Sequence, residues 1–202
     1  MDTRQSGMYA ADSHVAGRLP IQPQSPGLRD RIWWGSGNRE TARWAAQQGM
    51  NLQSSTLVKE EDAGIPFGEL QARQLDEYKD AWIAYGHERE PRVSVSRSII
   101  PIVSDEDHAY FGSGGGQDGD QVGHLDGGIQ RFGRSYTGEP DKIAQELAQD
   151  RAVQTADTVL LTVPNQLGVE YCAAMLKVIA DDIAPAIGWE RAKPEQSHNF
   201  TN

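Results

Sequence analysis

Residues 31–57, RIWWGSGNRETARWAAQQGMNLQSSTL, decide the fold. A short apolar strand, residues 31–34, runs into Gly35, Ser36 and Gly37, and a helix opens at once behind Asn38. The helix, residues 39–48, sets Ala42, Ala45 and Ala46 on one face, where small side chains let it lie close on a sheet, and it closes on Gly49. A second strand, residues 51–55, ends in the hydroxyls of Ser54, Ser55 and Thr56. This strand–helix–strand unit has a loop shaped for an anion. Glycines at 35 and 37 let the backbone approach a ligand without a side chain in the way. Asn38 is a good N-cap, and the free N–H groups and dipole of the helix it starts attract negative charge. The plain alternative is a tight glycine turn in a parallel α/β protein that holds no ligand.

The same alternation continues outward. A helix is expected over residues 69–85, because Leu75, Tyr78, Trp82 and Tyr85 step by three or four and make one apolar face. Gly86 ends it and Pro91 keeps it from restarting. A strand over residues 92–103, RVSVSRSIIPIV, alternates and then turns fully apolar. The acidic, glycine-rich run over residues 105–128 reads as a long loop or lid. The acids in it lack the spacing of a calcium loop, so no metal site is expected. A helix begins at Gly138-Glu139-Pro140, with proline at its first position and Ile143, Ala144 and Leu147 inside. Residues 158–163, TVLLTV, form a continuous apolar run, as in a strand covered on both faces. A last helix over residues 168–183 lines up Val169, Cys172, Ala173, Leu176, Ala180 and Ile183, which makes Cys172 an inert core thiol. Four strands alternating with helices predict an α/β fold with a parallel sheet. Residues 1–30 read as an irregular leader, 31–188 as the domain and 189–202 as a loose tail.

The chain of 202 residues is long enough for one sizeable core. A formal charge of -10, with the basic residues scattered singly, argues against nucleic acid or an anionic membrane as a partner. No apolar run approaches the length of a membrane span. One cysteine excludes a disulfide within the chain, and the expected home is a reducing cytoplasm. His87, His108 and His124 all fall in expected loops and read as surface residues, with His108 and His124 flanking the lid.

Five segments in order, RIWWGSGNRETARWAAQQGMNLQSSTL, EPRVSVSRSI, FGRSYTGEPDKIAQEL, ADTVLLTVPNQLGVEY and DIAPAIGW, resemble the luciferase-like flavin-dependent monooxygenase family. The resemblance covers residues 25–189 and implies a (β/α)8 TIM barrel that uses reduced FMN or, in some branches, a deazaflavin coenzyme. It implies an oxidoreductase acting on paired donors, a small organic substrate and O2, with a separate flavin reductase as a further partner. What lines up is the second half of the barrel, strands five to eight. The chain is therefore expected to be a partial barrel of about four βα units. It would be a truncated form, or a non-catalytic half-barrel that needs a partner chain, and self-association would cover its open edges. The cofactor-binding residues implied are Gly35, Ser36, Gly37 and Asn38, with Ser54 and Ser55 on the same rim, and the loop from Gly112 to Gly128 as a lid over the flavin. No catalytic residue is assigned. A separate nucleotide-binding domain is the third reading. It lacks a GxGxxG turn with an acid at the end of the next strand, which here ends Ser-Ser-Thr.

Overall fold

The alternating pattern folds, in a computed structural model, into a mostly parallel sheet with helices packed on it. The structure describes residues 25–59, 64–112, 119–125 and 128–190. The chain divides after Ile32 into two units. In the described part of the first, Leu28–Arg31 form one turn of helix (α1) behind Gly27, whose φ of 68° suits glycine. The second unit begins with β1 (Trp33–Ser36), α2 (Arg39–Gln47), β2 (Asn51–Ser54), β3 (Leu57–Val58), α3 (Phe67–Ala84) and β4 (Val93–Pro101). It continues with α4 (Asp105–Asp107), β5 (Gln121–Leu125), β6 (Gly128–Phe132), β7 (Ser135–Gly138), α5 (Pro140–Gln149), α6 (Arg151–Thr155), β8 (Thr158–Thr162) and α7 (Gly168–Val178).

Strands β1, β2, β4 and β8 lie side by side in chain order and all run parallel. Parallel crossovers are right-handed, so a sheet order without reversal sends every crossing helix to the same face. The core agrees. Ala42, Ala45 and Ala46 of α2, Leu75, Tyr78 and Trp82 of α3, Ile143 and Leu147 of α5 and Val153 of α6 all meet Leu52, Val93, Val95 and Ile99 of the sheet. By the two-residue period of a strand, the opposite face carries Asn51, Gln53, Ser94, Ser96, Ser98, Thr158 and Thr162. One face is therefore apolar and helix-covered, and the other is rich in amides and hydroxyls.

Several expectations need correcting. The first strand starts two residues later than expected and takes in Gly35 and Ser36, because both pair with β2, opposite Gln53 and Ser54. A strand was missed. Ser135–Gly138 adds to the carboxyl half of β4, opposite Ser98 to Pro101, and Tyr136 is its one large apolar side chain. The expected lid over residues 105–128 is partly regular. Its segments 113–118 and 126–127 lie outside the described residues, but β5 and β6 form an antiparallel hairpin that β3 joins. The hairpin is tied down where the Phe67 amide, at the start of α3, donates to Asp120 at 2.6 Å. The last helix buries Met175, Ile179 and Ile183, while Val169 and Leu176 of the expected stripe are exposed and Cys172 is half-buried. TVLLTV is not covered on both faces either, since Leu160 is 52% exposed.

Gly133 sits between the hairpin and β7, where a Cβ would lie 2.6 Å from the Phe67 ring. Gly133→Ala should cost about 1–3 kcal/mol by overpacking. A second change, Phe67→Leu, should recover much of that loss in urea denaturation.

Candidate functional site

The carboxyl ends of β1 and β2 adjoin because the strands pair in register, Ser36 opposite Ser54. Beyond the strands the chains stay joined: the Ser55 amide donates to the Ser36 carbonyl at 2.9 Å and the Lys59 amide to the Gly37 carbonyl at 2.7 Å. Gly35 is exposed, and a Cβ there would meet nothing within 4 Å. At Gly37 a Cβ would touch the Leu57 carbonyl at 3.4 Å, so glycine here lets the two turns close up. Asn38 caps α2, its Oδ1 accepting from the Thr41 amide at 2.8 Å and the Thr41 hydroxyl at 2.9 Å.

The two serines on this rim face inward. The Ser36 hydroxyl donates to the Asn38 carbonyl at 2.8 Å and lies 2.5 Å from the Thr41 hydroxyl. The Ser54 hydroxyl donates to Gln74 Oε1 at 2.5 Å and accepts from Gln71 Nε2 at 3.0 Å. Both serines are buried and hold the turn from beneath. Gly35, Gly37, Asn38 and Ser55 lie at the surface or half-buried. The structure thus brings all six residues onto one rim but divides them into an outer and an inner layer.

Sequence reading missed the side chains under that layer. Arg97 of β4 shares the inward phase of Val93, Val95 and Ile99, and a cation on the buried side of a strand requires a buried partner. That partner is Asp150, whose Oδ2 accepts from Arg97 Nε at 2.8 Å. Arg97 Nη2 lies 2.8 Å from the same oxygen, too bent for a hydrogen bond, and Nη1 donates to Gln71 Oε1 at 2.7 Å. Asp150 also accepts from the Tyr136 hydroxyl at 2.6 Å and, through Oδ1, caps α6 at the amides of Ala152 and Val153. Burial and the Asp150 carboxylate push the Tyr136 hydroxyl up to about 12. Gln71 and Gln74 carry the chain of bonds on to Ser54 and to the Asn38 carbonyl. A cleft of about 460 Å³ opens beside Arg97, between Phe67, Arg134 and Tyr136.

Asp107 closes the carboxyl end of β4. Burial draws its carboxyl up, but hydrogen bonds from the Tyr171 hydroxyl, the Val103 and Ser104 amides and the Ser104 hydroxyl outweigh that and hold it below the usual carboxylate range. Of the histidines, His87 bonds the Ala46 carbonyl at 2.6 Å and stacks on Trp82 at 4.4 Å, a brace between α2 and α3. His108 begins the turn behind α4, and His124 falls in β5 rather than in a loop.

For a phosphate, the donors on the outer layer are the Arg39 and Glu40 amides that open α2, the Asn38 carboxamide N–H and the Ser55 hydroxyl, the Thr41 amide being taken by the Asn38 cap. Neutral donors at an uncrowded helix start suit a phosphate. Glu40 in the same turn opposes it, and Arg39 and Arg43 are engaged with Glu77 at 3.0 and 2.7 Å. The donor set fits a phosphate group held by backbone and amide rather than by cations. Among the described residues, no cluster of three His, Cys, Asp or Glu side chains is placed to hold a metal ion, and no helix is long and apolar enough to cross a membrane. A comparison of the chain with known protein families and with curated proteins finds no match.

Two outcomes follow from these contacts. Arg97→Met should lower the unfolding free energy by about 3–5 kcal/mol by stranding a buried carboxylate, and Asp150→Asn in the same chain should recover part of it. A depressed carboxyl such as Asp107 contributes stability that is complete above about pH 4, the unfolded value, and is lost as pH falls through its folded value. Asp107→Asn should therefore be less stable than wild type at pH 7, by about 0.5–2 kcal/mol for a lost cap, with the gap closing as acid unfolding is approached.

Proposed function

We propose that the protein is a flavin-dependent oxidoreductase of the luciferase-like kind, in which the rim of β1 and β2 holds the phosphate of FMN. The observation that supports this reading most directly is the meeting of Gly35, Gly37, Asn38 and Ser55 on one carboxyl edge of adjoining parallel strands. Sites of (β/α)8 barrels lie on that edge, and strands that follow chain order without reversal are what such a barrel requires. The segment resemblance and the exposed amide donors point to the same turn.

In this reading each layer of the rim has its own task. Asn38 and the first-turn amides of α2 bind the phosphate, and Ser55 adds a hydroxyl. Gly35 leaves space for the ligand to approach. Ser36 and Ser54, pinned by Gln71 and Gln74, hold the turn so that the amides point outward before ligand arrives. When bound and reduced, FMN would supply the two electrons that let one oxygen atom of O2 enter the organic donor while the other leaves as water. A deazaflavin coenzyme, the alternative, would use the same phosphate grip.

FMN fluorescence titration tests the reading, with riboflavin as the ligand lacking phosphate. Wild type should bind FMN saturably and riboflavin at least tenfold more weakly. Gly35→Asp, whose side chain enters open space, should keep the fold by circular dichroism and weaken FMN at least tenfold by charge repulsion, leaving riboflavin unchanged. Absence of saturable FMN binding by wild type would sink the proposal. FMN binding indifferent to Gly35→Asp would move the phosphate elsewhere.

A further inference from the structure

The sheet has two unfinished edges. Among the described residues, β1 pairs only with β2, and β8 only with β4. Unpaired parallel strands offer rows of backbone donors and acceptors to another chain. Both edges here are also apolar. At the β1 edge, Trp34 and Trp44 pack against each other at a tilt of 59°, centroids 4.7 Å apart, yet remain 38% and 41% exposed. At the β8 edge, Leu160 is exposed on the polar face. On the helix face, a groove of about 660 Å³ opens between Val159, Leu161, Leu176, Ile179, Ile187 and Trp189. Residues 158–163 have the composition of a strand with neighbours on all sides, and Val169 and Leu176 of α7 are exposed.

We infer that a second copy of this chain closes the sheet, the β8 edge of one protomer pairing in parallel with the β1 edge of its partner, twice around a two-fold axis. The inference rests on the sheet order and its edges, not on the flavin. All four strands share one direction, so β1 can follow β8 as β2 follows β1. Leaving aside β7, which pairs only with the carboxyl half of β4, the strands β1, β2, β4 and β8 of two protomers make a ring of eight, the number whose interior side chains can fill. The faces also match. Trp34 lies on the helix side of β1, stacked on α2, and the groove lies on the helix side of β8. In a parallel pair, Trp34 of the partner subunit enters the groove, and Trp33 of the partner subunit comes beside Leu160 on the other face.

Area favours this occupant. A tryptophan contributes about 150–250 Å² when buried. The still-exposed parts of Trp34, Trp44 and Trp189 from two protomers come to on the order of 500 Å², and the groove walls with the two backbone junctions bring the contact toward the roughly 1,200 Å² at which stable interfaces begin. An antiparallel β8 to β8 pair would leave the β1 edge and both of its tryptophans bare. A head-to-tail contact that failed to close would grow into a polymer.

Sedimentation of the full chain tests the inference. The expected species has twice the 22.2 kDa of the chain. Trp34→Glu and Leu176→Glu, both at exposed positions, should each weaken the dimer at least tenfold while far-UV circular dichroism stays unchanged. Mixing the two variants should restore part of the affinity, because one of the two junctions is then intact. Should either variant misfold, hydrogen exchange of wild type supplies the same answer, since the amides of residues 158–162 should exchange more slowly as protein concentration rises. A wild-type monomer at about 100 μM, an open-ended polymer, a dimer indifferent to Trp34→Glu, or exchange independent of concentration would each overturn it.

Discussion

A buried guanidinium in the middle of the central strand sets the terms for everything around it. Arg97 emerges from β4 on the face that also carries Val93, Val95 and Ile99, and such a charge is tolerated only with a carboxylate paired to it. Asp150 answers from the junction of α5 and α6, and Gln71 answers from α3. Two separate crossover segments are thereby fixed to one strand. Because Gln71 and the neighbouring Gln74 reach Ser54, Ser36 and Asn38, the same bonds carry order to the Gly35–Asn38 turn. The turn is thus held by side chains from beneath, which leaves its outer surface open.

That division explains how a loop with two glycines can be a defined rim. Glycine at 35 leaves space and glycine at 37 permits the turn to close against Leu57. Neither position requires a positive φ. The conformational freedom of the glycines is offset by Asn38 on α2 and by amides from the far side of β2.

The outer strands show the opposite condition. β8 and α7 have the apolar composition of interior elements, yet Leu160, Val169 and Leu176 are exposed, whereas β2 and β4, with more hydroxyls and amides, are buried. Composition and position disagree most at the sheet edges, where unpaired backbone and apolar surface lie together.

Much of the architecture was legible in the sequence. The alanine face of α2, the buried Leu75, Tyr78 and Trp82 of the expected α3 stripe, whose fourth member Tyr85 is exposed, and the proline start of α5 are local signals, carried by side-chain period and capping chemistry. Hence the alternation of strands and helices, and from it the parallel sheet, could be read directly. The first strand was placed two residues early and Ser135–Gly138 was missed because pairing with a remote strand, not local composition, makes those residues extended. The rim residues were found by type, but their split into exposed and buried layers was not, since it depends on glutamines 17 to 38 positions away. The sequence alone determined the order and kind of the elements, because helix and strand period are properties of neighbouring residues. Only the tertiary structure decided which serines are buried, what neutralises Arg97 and which apolar strand is left at the edge, because those depend on contacts between segments far apart in the chain.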